Sequence, residues 1–341
     1  MSWKRRLLAG SLRYTALLSL IRSLKRCESR RLTVLAYHRI GEPVDPENYP
    51  FDHDFISATP DGFEWQMNYI KKHFDPVSFA DVEAFIAGEA KWPERPIVVT
   101  FDDGFDDNYH IAYPILKKLC VPATMFVCTD YIGSSETFWF DRVIYLFKKT
   151  TATHYDLGQN EGPSPIAVTA IGKYEQARKL VKYFRTVKND IRLRFLKKLE
   201  EQLGDKIPDS DCLSQTMNWD MVVELAASGI EIGSHSCSHP NLTQLDSATL
   251  LLELTKSRAA IAEKIGVPPQ VIAYPAGDAK NFNEEVVAAT KRAGYSIAAS
   301  YVSGVNPIQT LNQHSLLRLH VESYTTQNEF AAMLELPRVF G

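Results

Sequence analysis

Cysteine is scarce in this chain: five residues in 341, Cys27, Cys120, Cys128, Cys212 and Cys237. Their number is odd, their spacing is wide and no CxxC pair occurs, which argues against a disulfide framework and for a reducing compartment. Cys237 stands between histidines, where a small buried thiol is the first reading and a metal ligand the second. Long apolar runs are also missing. A membrane-spanning helix needs roughly 20 apolar residues, and "LRYTALLSLIRSL" is broken by Arg13 and Arg22. The same region has no clean hydrophobic stretch ending in a small-residue cleavage site, so the expected location is the cytoplasm, with or without membrane association, and export through an unusual leader is the alternative. Neither internal repeats nor low-complexity segments occur, and 45% hydrophobic with 23% charged residues excludes collagen-like and disordered classes.

Charge of one sign is lacking only locally. Residues 1–31 hold nine Lys/Arg against the single acid Glu28, a local +8, so the rest of the chain carries −11 of the formal −3. An acidic body of that kind argues against nucleic acid as a partner. In the basic segment Leu7, Leu8, Tyr14, Leu17, Leu18, Ile21 and Leu24 recur near helical spacing. This amphipathic pattern suits peripheral contact with anionic lipid, or a helix packed on the domain.

What is present is a rhythm. "LTVLAYH", "PIVVTF", "ATMFVCT", "IEIGSH", "VIAYP", "YSIAAS" and "LLRLHV" read as buried strands, and helical segments alternate with most of them. The expected fold is α/β: a distorted (β/α) barrel of about seven parallel strands spanning residues 32–334, with a short tail at 335–341. Between about 134 and 217 the alternation fails and charged helical segments replace it, which reads as a helical cap inserted at a strand end. Its basic residues face either an anionic substrate or water.

The chemistry lies at strand ends. Asp102 and Asp103 follow "VVTF", His235 follows "IEIGS", and His239 comes four residues later in "HSCSHP". Parallel barrel strands put their C-terminal ends on one face, so these groups are expected to converge. Two imidazoles and one carboxylate leave a divalent cation open positions, as in a catalytic rather than a structural site. Gly104 permits the turn that brings two consecutive side chains to one place. Asp106 and Asp107 precede a helix, where Asp107 or Asn108 is expected to cap free backbone N–H groups.

"TFDDGFDDN" and "HSCSHPNL" closely resemble the first two signature motifs of the polysaccharide deacetylases, the NodB-homology group of carbohydrate esterase family 4, and the resemblance covers roughly residues 32–334 apart from the insertion. It implies a metal-dependent hydrolase that removes N-acetyl groups from an amino-sugar polysaccharide, oligosaccharide or lipid-linked glycan. Carried over by motif, Asp102 is the general base, and Asp103, His235 and His239 hold the metal, with zinc first and cobalt, nickel or manganese also suited. "VIAYPAGD" keeps Tyr274 and Pro275 of the third motif, assigned to the oxyanion side, but lacks the motif's arginine, which leaves an Arg-oriented base in question. "YPAG" and "LAYHRI" are similar to exopolysaccharide and poly-N-acetylglucosamine deacetylases and point to His38 as the general acid, ahead of His320 in "LLRLHV". Trp139, Phe140, Trp219 and Tyr301 are candidate sugar platforms or core residues. The rival function is a metal-containing but non-hydrolytic sugar-binding or scaffold protein of a glycan-assembly complex.

Overall fold

The computed structural model describes residues 30–340, apart from 43, 46–48, 159–165, 169–171 and 205–215. The amphipathic reading of the basic segment therefore lies outside the described residues, except at its last positions. Among the described residues no helix is long and apolar enough to cross a membrane.

Seven strands carry the architecture: β1 Arg31–Tyr37, β2 Pro96–Phe101, β3 Ala123–Val127, β4 Glu231–Ser234, β5 Val271–Ala273, β6 Ile297–Ser303 and β7 Leu316–His320. Each is parallel to its neighbours, and β7 returns to pair with β1 through Leu35 opposite Leu319 and Ala36 opposite His320. The barrel is closed. Its distortion has a location: the β6–β7 register slips between Ala299 and Ser303.

Alternation along each strand separates two cores. Leu35, Tyr37, Ile97, Val99, Phe101, Met125, Val127 and Leu319 point outward into a cluster shared with helices α1 (Pro60–His73), α3 (Tyr113–Leu119), α7 (Trp219–Ala227) and α10 (Gln327–Glu335). Val34, Val98, Phe126, Ala273 and Leu316 point inward and meet Phe79 and Val82 of α2 (Phe79–Ala87). Burial on both faces is why these strands read as nearly continuous apolar runs. On β2 the inward series continues from Val98 through Thr100 to Asp102, and on β7 from Leu316 through Arg318 to His320.

Between β3 and β4 lie α4 (Trp139–Lys149), α5 (Lys173–Phe184) and α6 (Asn189–Leu203). They have their own core, in which Phe138, Phe140, Phe147, Phe184, Phe195 and Leu199 are buried together with Phe105 and Cys128 from the barrel side. Helices α8 (Ser247–Ile265) and α9 (Glu284–Arg292) follow β4 and β5.

Candidate active site

β2 ends in a tight reversal. Asp103 and Gly104 both take positive φ, 74° and 76°, so Asp102 keeps the inward direction of its strand while Asp103 is turned toward β4. A Cβ on Gly104 would sit 3.0 Å from Ile132 Cδ1 and 3.1 Å from Val127 Cγ1, so both space and φ require glycine here. Of the five non-glycine residues with positive φ among the described residues, four are at this site: Asp103, Ser236 (65°), His239 (51°) and Ala276 (54°). Such backbone is costly and persists only where its surroundings hold it.

The holding groups are identifiable. The Glu253 carboxylate, on α8, accepts from the N–H of Cys237 (2.9 Å) and of Ser238 (3.1 Å) and from the Ser238 hydroxyl (2.7 Å), clamping the loop between the two histidines. Ser236 Oγ accepts the His239 N–H at 3.2 Å. Cys237 packs inside this loop with its thiol on the Glu253 carbonyl, as a small buried residue would. Trp139 Nε1 donates to the His239 carbonyl at 3.0 Å, while Phe138 and Phe140 set their rings edge-on to His239.

His235 Nε2 lies 3.5 Å and His239 Nε2 3.4 Å from the same Asp103 oxygen, Oδ1. Donors each about 2.0–2.1 Å from a tetrahedral zinc are spaced about 3.3 Å apart, so each imidazole nitrogen stands from Asp103 at the separation that two ligands of one cation have. His235 Nδ1 donates to the Ala273 carbonyl at 2.8 Å, which fixes the tautomer that leaves Nε2 available as a ligand. Both Asp103 oxygens are buried and meet no hydrogen-bond partner among the described residues, a costly state for a carboxylate without a cation. Burial pushes Asp103 well above the usual carboxylate range, and the Asp102 charge adds to this. Burial also holds both imidazoles low, so near neutrality each is uncharged and can ligate. These residues fit a divalent metal ion. Cys128 Sγ also comes within reach of Asp103 and His235, but it faces the His235 carbonyl at 3.3 Å and burial pushes its thiol upward, so it is not in the proposed set.

Asp102 stands outside the Asp103–histidine cluster and is paired instead with an arginine that the third motif does not supply. Arg318, fully buried on β7, grips it with two bonds, Nη1 to Oδ1 at 2.7 Å and Nη2 to Oδ2 at 2.8 Å. The same guanidinium donates to the Ser300 carbonyl and to Thr100 Oγ1. Burial by itself would raise the Asp102 pKa, but Arg318, assisted by His235, reverses this and holds it well below the usual range. The arginine missing from the third motif is thus supplied from another strand. Arg318 could have been found in the sequence from the inward period of β7, which also carries His320.

The remaining sites divide. His38 borders a cleft of about 440 Å³ together with Asp102, His235, His239, Tyr274, Ala276 and Tyr301, and it packs on Phe55 and Tyr301. Burial lowers His38 to about 4 against the opposing pull of Asp102. His320 does not border that cleft. Its ring stacks on Tyr301 with centroids 3.7 Å apart, its Nε2 is buried without a partner among the described residues, and burial lowers it to about 3.

Tyr274 and Pro275 are not the oxyanion donors. The Tyr274 N–H is committed to the Ala299 carbonyl at 2.9 Å, its hydroxyl to the His314 carbonyl at 3.0 Å, and proline has no N–H. Ala276, the next residue, borders the cleft and is the loop's remaining candidate donor through its N–H. Gly277 makes that turn possible, since a Cβ there would meet the Tyr274 carbonyl oxygen at 2.7 Å. The capping expected at Asp107 also fails. Its carboxylate instead accepts from the Ile40 N–H (2.8 Å) and Arg39 (3.1 Å), while Asn108 donates to the His38 carbonyl at 2.7 Å and so anchors the His38 strand end to the aspartate turn. Trp139 and Phe140 are buried and Trp219 lies on α7 away from the cleft, so of the four aromatic candidates only Tyr301 borders it.

The sequence profile of the family described as polysaccharide deacetylase matches residues 89–298, more than half of the chain. The poly-beta-1,6-N-acetyl-D-glucosamine N-deacetylase of Staphylococcus epidermidis is 32% identical over 145 residues, covering 38% of this chain and 46% of that protein. Its Staphylococcus aureus counterpart is 29% identical over 132 residues, covering 36% and 44%. The chain thus spans less than half the length of these curated relatives. Among solved structures, Streptococcus pyogenes deacetylase PplD in complex with acetate superimposes with a TM-score of 0.58 at 18% identity, covering 92% of this chain and 99% of that one. IcaB from Ammonifex degensii gives 0.56 at 18%, covering 90% and 97%. At this identity the two structures establish the fold.

Proposed function

Because the chain belongs to the polysaccharide deacetylase family, we propose that it removes N-acetyl groups from an amino-sugar polysaccharide or glycan, releasing acetate and leaving a free amine. One observation carries the reading: two carboxylates side by side, Asp103 unpaired between two imidazole nitrogens and Asp102 held apart from it by Arg318. That division suits one ligand and one base.

Asp103, His235 and His239 would hold a divalent cation, zinc best matching two nitrogens and one oxygen, and when bound it polarises the amide carbonyl and lowers the pKa of a water. Asp102, kept ionised by Arg318, accepts a proton from the attacking water. Ala276 N–H donates to the oxygen on which negative charge develops. His38, at the cleft wall and uncharged near neutrality, relays to the departing nitrogen the proton that Asp102 has taken from the water. Poly-N-acetylglucosamine, named in the staphylococcal relatives, is the first substrate to assay. A non-hydrolytic scaffold would not require an ionised carboxylate held beside the ligand site.

The test is acetate release from N-acetylglucosamine oligomers with and without chelator. Release that a chelator abolishes and added zinc restores is expected. Tight oligomer binding by metal-replete protein, with no acetate formed from any N-acetylated glycan, would favour the scaffold reading.

A further inference from the structure

The inserted helices do more than pack. Arg178 of α5 and Arg185, the residue that follows the helix, reach the cleft. Arg178 is neutralised there: it pairs with Asp54 and lies 3.7 Å from Asp52. Arg185 is different. It makes no salt bridge among the described residues, and its Nε is buried without a hydrogen-bond partner. Burial pushes its guanidinium down, and neighbouring Arg178 adds to that, against the pull of Asp52 and Asp278.

Its position is built. Asn241 donates from its amide both to the Arg185 carbonyl (2.6 Å) and to Asn281 Oδ1 (2.8 Å), and Asn281 donates to the Ala276 carbonyl (2.9 Å). The residue at the end of α5 is therefore tied, through two buried asparagines, to the loop that carries the oxyanion donor. The pairing in the cleft sets Arg185 apart. Asp102 is held by Arg318 and Asp54 by Arg178, Asp52 accepts from the Tyr174 hydroxyl at 2.5 Å and lies 3.7 Å from Arg178, Asp278 is exposed at the rim, and burial pushes Glu322 up to about 7. A partly buried guanidinium, on a backbone anchored by Asn241 and without a salt bridge among the described residues, borders the cleft beside the deacetylation centre. A neutral sugar hydroxyl could accept from it, but a carboxylate or phosphate matches its planar donors in pairs and its charge as well.

We propose that Arg185 is a specificity-determining residue that binds an anionic group, a carboxylate or phosphate carried by the glycan near the acetamido sugar being processed. This rests on the deacetylase reading and narrows its substrate class to acidic amino-sugar glycans.

The experiment measures binding, so that it does not depend on turnover. Zinc-loaded full-length protein is titrated with three N-acetylglucosamine oligomers in which the acetamido group is replaced by a non-hydrolysable methanesulfonamido group: one neutral, one with a neighbouring uronate, one with a phosphate substituent. Wild type should bind an anionic oligomer about 10- to 100-fold more tightly than the neutral one. Arg185→Gln should bring that ratio close to one, and Arg185→Lys, which keeps a point charge and guards against a folding defect, should retain part of it. Comparison of the two anionic oligomers identifies the group recognised. Equal affinity of wild type for all three, or a preference that survives in Arg185→Gln, would overturn the proposal. If the preference is present but no acetylated counterpart releases acetate, the deacetylase reading fails and the anion site stands.

Discussion

At the residue scale, the account turns on two buried aspartates treated oppositely by their surroundings. Asp102 receives a full guanidinium and Asp103 receives only imidazoles, so one is held as an anion and the other is left with a need that a cation meets. Arg318→Gln should therefore act twice. It leaves Asp102 buried and unpaired, costing about 3–5 kcal/mol, and it removes the group that depresses the Asp102 pKa, so the acid limb of kcat/KM moves to higher pH. The folded pKa of Asp102 lies below its unfolded value. The stability it contributes is then complete above the ordinary carboxylate value of about 3.9, and is lost as pH falls through the depressed one. Thermal melts should show the full deficit at neutral pH and a smaller one in strong acid; a deficit independent of pH would argue against the pairing. The two histidines separate by a different assay. His38→Ala should lower turnover of an N-acetyl sugar about 10²- to 10⁴-fold yet recover on an aryl acetate, whose leaving group needs no proton, whereas His320→Ala should show no such selective recovery. Recovery in the second variant alone would exchange their roles.

At the scale of elements, much was legible and the gaps have physical causes. The seven strands announce themselves because burial on both faces leaves little but apolar and β-branched residues, and α2 ends at Gly88 as its pattern requires, with φ 76°. The pairing of Arg318 with Asp102 was not legible from motif spacing, since it joins residues 216 apart across a closed barrel. Alternation along β7 does reveal that Arg318 and His320 share the inward face. Asp107 was misread because a helix-capping residue and an acceptor for a distant arginine look alike in sequence. The turn at Gly104 is the element that places Asp103, the proposed metal ligand. Gly104→Ala, with φ 76° and contacts near 3 Å, should cost about 1–3 kcal/mol and weaken metal affinity by displacing Asp103. Metal titration beside a thermal melt checks this, and unchanged affinity would mean that the turn does not position the ligand.

At the scale of the whole molecule, closure of the sheet is what makes a site from residues distant in the chain. β2, β4 and β7 contribute Asp102 and Asp103, His235 and His239, and Arg318, and only a barrel whose β7 returns to β1 sets Arg318 over β2. The insertion completes the surroundings of the proposed metal site, with Phe138 and Phe140 against His239 and Arg185 in the cleft. X-ray absorption at the zinc edge of the metal-loaded chain tests this arrangement most directly. The expected shell holds only nitrogen and oxygen donors at about 2.0–2.2 Å, with an imidazole signature that diminishes in His235→Ala. A sulfur at about 2.3 Å, which would place Cys128 on the metal, or an imidazole signature unchanged by His235→Ala, would contradict it.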